Sequence, residues 1–246
     1  MLKMKWLLLA SLALAGCGVL GGGGDVSGYP EVDLGAPVEV YKATSERDLH
    51  IHLFEPESAG AQDPTSAVLF FHGGGYATTR VPQFDRQAQA AADAGMIGIV
   101  VEYRVTPEGT TRADAIQDGV DAAAYVLDNA ERLGVDPQRI ALAGSSAGGD
   151  LAVHATDGGD VTSALVLFNP AVNPTEGGLT GDAPTIVFHS REDVIVRFES
   201  ADGFCNNASA CQMVAFDEGA HGFFNDEPAF TETTEGMVEF LQEAGW

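Results

Sequence analysis

Positive charge is what this chain has least of. Lysine occurs only at Lys3, Lys5 and Lys42, and 12 lysines and arginines stand against 36 aspartates and glutamates, a net charge of -24 over 246 residues. Such a surface repels phosphate backbones and anionic headgroups, which argues against nucleic acid as a partner and against a membrane contact driven by basic charge. The same balance suits a saline habitat or simple solubility. Cysteine is scarce, at Cys17, Cys205 and Cys211. Long apolar runs are missing too. The best candidate, Trp6 to Leu14, falls short of the roughly 20 residues that span a bilayer. No internal repeat and no second linker interrupts the chain, so a single domain with a sizeable core is expected. Asp114, Asp118 and Asp121 fall near helical spacing and read as a solvated face, with no metal site among them.

The first thirty residues have their own character. Lys3 and Lys5 precede the short apolar stretch, which ends in Leu14-Ala15-Gly16-Cys17. Residues 1–16 read as an export signal, and the ending resembles the lipobox of bacterial lipoproteins, which implies lipidation of Cys17. Ordinary secretion with an incidental Cys17 is the alternative. Loss of residues 1–16 removes two lysines and no acids, and so makes the chain still more acidic. Residues 17–30 are Gly-rich and read as a flexible tether, leaving 31–246 as one folded domain. The expected location is the cell envelope, with the outer membrane favoured because Gly18 follows Cys17. Outside the reducing cytoplasm, Cys205 and Cys211 are close enough in sequence for a local disulfide.

Apolar segments alternate with amphipathic ones over the rest. Strands are expected at Val38–Lys42, Asp48–Phe54, Ser66–Phe71, Met96–Tyr103, Arg139–Ala143, Val161–Phe168, Thr185–His189 and Cys211–Phe216. Helices are expected at Pro82–Ala94, Arg112–Leu133, after Gly148, and at Thr231–Glu243. Continuous apolar strands separated by helices predict an α/β fold, a mostly parallel sheet covered on both faces. Functional groups in such folds gather beyond the carboxyl ends of the strands.

Gly144-Ser145-Ser146-Ala147-Gly148 lies at one such end. A G-x-S-x-G between strand and helix is a nucleophile elbow, and it makes Ser146 the candidate nucleophile. His72-Gly73-Gly74-Gly75 follows another strand, and three glycines in a row let backbone N–H groups approach an oxyanion. The N–H of Ala147, next after the serine, is the expected partner donor. A base is expected after the last strand, at His221 between Ala220 and Gly222. His189 is the competitor, placed by its position as a structural hydrogen-bond partner. Glu192 and Asp193 both lie where the acid belongs, and Asp193 is preferred. His50, His52 and His154 have no comparable context.

The order Ser146, Asp193, His221 is that of the α/β-hydrolases. The chain resembles the hormone-sensitive-lipase and acetyl-esterase group of that fold, over roughly residues 66 to 245. The resemblance rests on His72–Gly75, on Val101–Glu108, on the elbow through Leu151, on His189–Val196 and on His221-Gly222-Phe223. It implies an α/β-hydrolase fold without a sizeable cap, and a triad of Ser146, Asp193 and His221. It also implies oxyanion donors at Gly74, Gly75 and Ala147, and hydrolysis of short-chain acyl esters with no metal or organic cofactor. The departures are Ser145 for the usual Asp, Asp150 for Asn, Ser190 for Gly, the absent N-terminal cap, and a connection of only Pro170 to Ala183 where relatives insert a lid. An open site suits a small acyl ester or an acylated polymer, and Tyr76 and Phe223 are candidate walls for the acyl group. A serine peptidase or amidase, or a polysaccharide acetyl esterase, is the alternative reading.

Overall fold

A computed structural model describes residues 32–57, 64–158 and 164–246. The expected signal, Cys17 and the tether lie outside the described residues. Eight strands form one sheet among those described: β1 (Val38–Ala43), β2 (Asp48–Phe54), β3 (Thr65–Phe71), β4 (Ile97–Val101), β5 (Val135–Ser145), β6 (Ala164–Phe168), β7 (Thr185–Ser190) and β8 (Cys211–Phe216). Their order is β1-β2-β4-β3-β5-β6-β7-β8. β2 runs antiparallel to both of its neighbours, and every other pairing is parallel. The mostly parallel sheet read from the sequence is therefore present.

The parallel strands alternate between two cores. Ala67, Leu69 and Phe71 of β3 face a layer that includes Ala122 and Val126 of α2 (Arg112–Asp128), Leu151 of α4 (Ala147–Gly158) and Phe204 of α5 (Phe198–Asn207). Val68 and Phe70 face the other layer, with Phe84, Ala88 of α1 (Asp85–Asp93), and Met237 and Leu241 of α6 (Ala229–Glu243). Period-two alternation thus gives each strand two buried faces, which is why these strands read as unbroken apolar runs. Burying a ring such as Phe70 or Phe84 contributes about 1.5–3 kcal/mol.

Several expectations need adjusting. The helix expected over Arg112–Leu133 ends at Asp128, and α3 (Ala130–Leu133) follows after Asn129. Helix α5 was not anticipated. Asp118 is no part of a solvated face: it is fully buried. Arg104 Nη2 and Lys42 Nζ reach its Oδ1 at 2.9 and 2.6 Å, and Arg104 Nε reaches its Oδ2 at 2.9 Å. Two cations from distant segments make burial of that carboxylate possible. Cys205 and Cys211 form a disulfide between α5 and the start of β8. No helix among the described residues is long and apolar enough to cross a membrane.

The chain leaves β3 toward β4 on one side and leaves β5 toward β6 on the other. Adjacent strands with diverging exits open a crevice at their carboxyl ends. The glycine run after β3 and the elbow after β5 both lie there.

Candidate active site

Sharp turning at the elbow depends on what two residues lack. A Cβ on Gly144 would lie 2.2 Å from the carbonyl oxygen of Gly148, and one on Gly148 would lie 2.1 Å from that of Phe71. Both clashes are with backbone, so neither position accepts a larger residue without moving strand or helix. Between them Ser146 has φ +52°, a left-handed conformation that costs a non-glycine residue about 1–3 kcal/mol. The surroundings hold it there. Its N–H donates to Phe168 O at 3.2 Å, and its carbonyl accepts from Ala171 N at 2.9 Å.

The three residues expected to form a triad are brought together. His221 Nε2 is 3.0 Å from Ser146 Oγ, and His221 Nδ1 is 2.7 Å from Asp193 Oδ2. Asp193 is buried, and its other oxygen accepts from the N–H groups of Ile195 and Val196 at 2.9 and 3.0 Å. A carboxylate so fixed accepts a hydrogen bond from Nδ1–H, holding the proton on that nitrogen and leaving Nε2 free to accept from the serine hydroxyl. Glu192 is exposed and accepts from Gly219 N at 3.4 Å instead. His189 is fully buried, with Nδ1 3.0 Å from the carbonyl of Ser190. Burial lowers its pKa, consistent with a structural role.

Gly74 and Gly75 lie beside the elbow with φ of +131° and +61°. Their N–H groups and that of Ala147 have no turn or loop acceptor among the described residues. The Gly73 N–H, by contrast, donates to Gln83 Oε1 at 2.6 Å. Gln83 therefore clamps the start of the glycine run, a contact between residues ten apart that no motif announces. His72 stacks on Tyr103 with ring centroids 4.3 Å apart, and burial lowers its pKa to about 4. It is held neutral beneath the loop.

Two proposed acyl-pocket walls have other partners. The Tyr76 hydroxyl donates to Asp150 Oδ2 at 2.6 Å and lies 2.9 Å from Ala147 O, tying the glycine loop to α4. Burial and the Asp150 charge push its pKa upward. Phe223 packs into the core against Phe216, ring centroids 4.8 Å apart. Asp150, His154 and Glu176 have donor atoms within 4.8 Å of one another, a spacing that would suit a metal ion. Arg112 occupies the place instead, with Nε and Nη2 at 2.6 and 2.5 Å from the two Asp150 oxygens. The unforeseen residue is Asn169, at the end of β6. It is fully buried, and its Nδ2 lies 3.1 and 3.4 Å from the two ring nitrogens of His221.

A family model described as the alpha/beta hydrolase fold matches residues 68–178. The chain is 36% identical over 105 residues to ethyl acetate hydrolase of Pseudomonas putida, covering 42% of this chain and 33% of that protein. It is 30% identical over 206 residues to versiconal hemiacetal acetate esterase of Aspergillus parasiticus, covering 79% of this chain and 60% of that one. The chain thus spans from a third to somewhat over half the length of these curated relatives. A solved structure of esterase 2 from Thermogutta terrifontis with propionate bound superposes with a TM-score of 0.78 at 32% identity, covering 86% of this chain and 95% of that one. Fold and residue identity agree, and the chain belongs to the α/β-hydrolase family.

Proposed function

We propose that this chain is a serine carboxylic-ester hydrolase acting on short-chain acyl esters through an acyl-enzyme. The observation that carries the reading is the aligned relay Ser146 Oγ, His221, Asp193 at 3.0 and 2.7 Å. Ser146 Oγ attacks the acyl carbon while its proton passes to His221 Nε2. The carbonyl oxygen becomes an oxyanion that Gly74, Gly75 and Ala147 N–H groups are placed to receive. Collapse breaks the bond to the alcohol oxygen, which leaves with the proton from Nε2. Water then gives its proton to Nε2, attacks the acyl-serine, and releases the acid with Ser146 restored.

Short acyl groups fit a Ser146 that stays partly exposed among the described residues. The connection after β6 folds as a tight turn over Pro174–Thr180, pinned to α5. A Cβ on Gly177 would meet Phe204 O at 2.3 Å, so this segment packs closely against α5. A cavity of about 460 Å³ beside His221 carries Asp217, Glu218, Asp226, Glu227 and Glu232, which disfavours anionic esters on that side. The acetate and propionate in the names of the relatives point the same way. Lipidation of Cys17 and a place in the cell envelope complete the reading, supported by the lipobox-like ending and by a disulfide suited to an oxidising compartment.

Ser146→Ala is the test. Turnover of nitrophenyl acetate should fall by roughly 10⁴-fold or more, and across a nitrophenyl ester series the wild-type rate should peak at short chains. Wild-type turnover in the alanine variant removes the assignment, and a peak at long chains removes the substrate class. Cys17→Ser should move the protein from the membrane fraction to the soluble one.

A further inference from the structure

We infer that Asn169 is a positioning residue for the base, its carboxamide forming a plate against the imidazole face of His221. The inference rests on the ester-hydrolase reading above and extends it to a residue outside the triad. The Asn169 amide nitrogen is nearly equidistant from Nδ1 and Nε2, at 3.1 and 3.4 Å. An approach in the ring plane between those two atoms would collide with Cε1, so the amide lies over the ring face. The in-plane directions are already taken, Nδ1 by Asp193 and Nε2 by Ser146. Asn169 therefore adds no fourth in-plane hydrogen bond. It limits rotation of the ring out of the line joining carboxylate and serine.

Its placement is costly in two ways. Its φ is +37°, in the left-handed region that asparagine tolerates better than most residues. Its Oδ1 is buried with no hydrogen-bond partner among the described residues. A core position would be better served by an apolar side chain, so the amide has some use where it stands. The segment is fixed on both sides: Asn169 N donates to Phe188 O at 2.8 Å, and Ala171 N to Ser146 O at 2.9 Å. The plate is thus built into the same strand end that supports the nucleophile. Beyond the imidazole the amide makes no other side-chain hydrogen bond among the described residues, so either of its ends can face the ring. An N–H suits the π face of the neutral base, and Oδ1 suits the cation formed once the serine proton has moved.

Two variants test this. Asn169→Gly removes the amide and keeps the left-handed backbone without strain. Nitrophenyl acetate kinetics should show kcat reduced about tenfold or more, as expected for a misaligned base, with KM within about twofold. Asn169→Asp keeps the shape and places an anion over the ring. The titratable and charged groups otherwise around His221 among the described residues are Asp193, buried His189 and Glu192, with Asp217, Glu218, Asp226, Glu227 and Glu232 in the cavity beside it, all of them shared by wild type and variant. The acidic limb of the kcat/KM profile should move to higher pH by about one unit in the aspartate variant. Wild-type kcat in a folded glycine variant, or an unmoved acidic limb in the aspartate variant, overturns the inference. A fluorophosphonate probe on the wild type separates the two levels: unlabelled Ser146 defeats the hydrolase reading itself, whereas labelled Ser146 with indifferent Asn169 variants defeats only this one.

Discussion

Asp193 and Glu102 are both buried carboxylates that face histidine, and only the first of these pairings also reaches a serine. Asp193 holds His221 Nδ1 at 2.7 Å, and the far side of that ring meets Ser146. Glu102, just past the end of β4, lies 3.2 Å from both His50 Nδ1 and His52 Nε2. Arg47 adds a 2.5 Å contact to Glu102 and a 2.7 Å contact to Glu108. The residue types nearly match, yet the second cluster is closed. Its carboxylate is neutralised by a guanidinium, and no strained nucleophile is presented to either ring. Acid and base become a catalytic device only where the backbone delivers a third group at the far ring nitrogen.

Matched carboxylate substitutions should break that comparison most visibly. Asp193→Asn should lower kcat by roughly 10³–10⁴, because the wrong imidazole tautomer is favoured, while leaving the unfolding midpoint near that of the wild type. Glu102→Gln should leave kcat per folded molecule within about twofold. It should instead lose about 1.5–3 kcal/mol of stability by weakening the charged contacts of Arg47. Parallel esterase assays and urea unfolding decide the matter. If Glu102→Gln costs as much activity as Asp193→Asn, the two clusters are not functionally distinct.

The sequence made one cluster legible and hid the other for the same physical reason. Ser146, Asp193 and His221 each follow within five residues of a strand's end, and glycines flank Ser146 and His221, so local pattern marks them. Glu102 was visible only as part of a family signature, since its partners Arg47, His50 and His52 arrive from an earlier hairpin. The burial of Asp118 is hidden for the same cause: helical spacing says nothing about Lys42 and Arg104 coming from elsewhere to cover it. Helix α5 carries little sequence signal because Gly203 and Asn206-Asn207 are poor helix formers, and its fold depends on burying Ala201 and Phe204. Asn169 belongs to no motif, and its contact spans 52 residues of sequence. The alternation of apolar strands and helices, by contrast, gave the mostly parallel sheet directly, apart from the start expected at Val161, which lies outside the described residues.

Acid sharpens the comparison further, through smaller effects. Glu102 is held at about 2 against an ordinary 4.5: burial opposes ionisation, but His52, Arg47 and His50 outweigh it. Between those pH values the unfolded chain takes up a proton that the fold refuses. The stability it lends is therefore full above pH 4.5 and lost as pH falls toward 2. His72 works in a higher window. Burial holds it at about 4 against 6.5, so the unfolded chain binds the extra proton first and stability declines as pH falls from 6.5 to 4. Buried His189 contributes in the same direction. At pH 5 only part of the His72 contribution is gone, at most about 2 kcal/mol, while that of Glu102 is nearly intact. Urea unfolding at pH 7, 5 and 3.5 should therefore show a first loss that belongs to the histidines and a second that His72 and Glu102 share. His72→Asn should flatten the first and reduce the second, which His72 shares down to pH 4, whereas Glu102→Gln should reduce the second alone. An undiminished loss between pH 7 and 5 in His72→Asn would show that acid strikes elsewhere, and that the histidine under the glycine loop bears its burial at no cost to the fold.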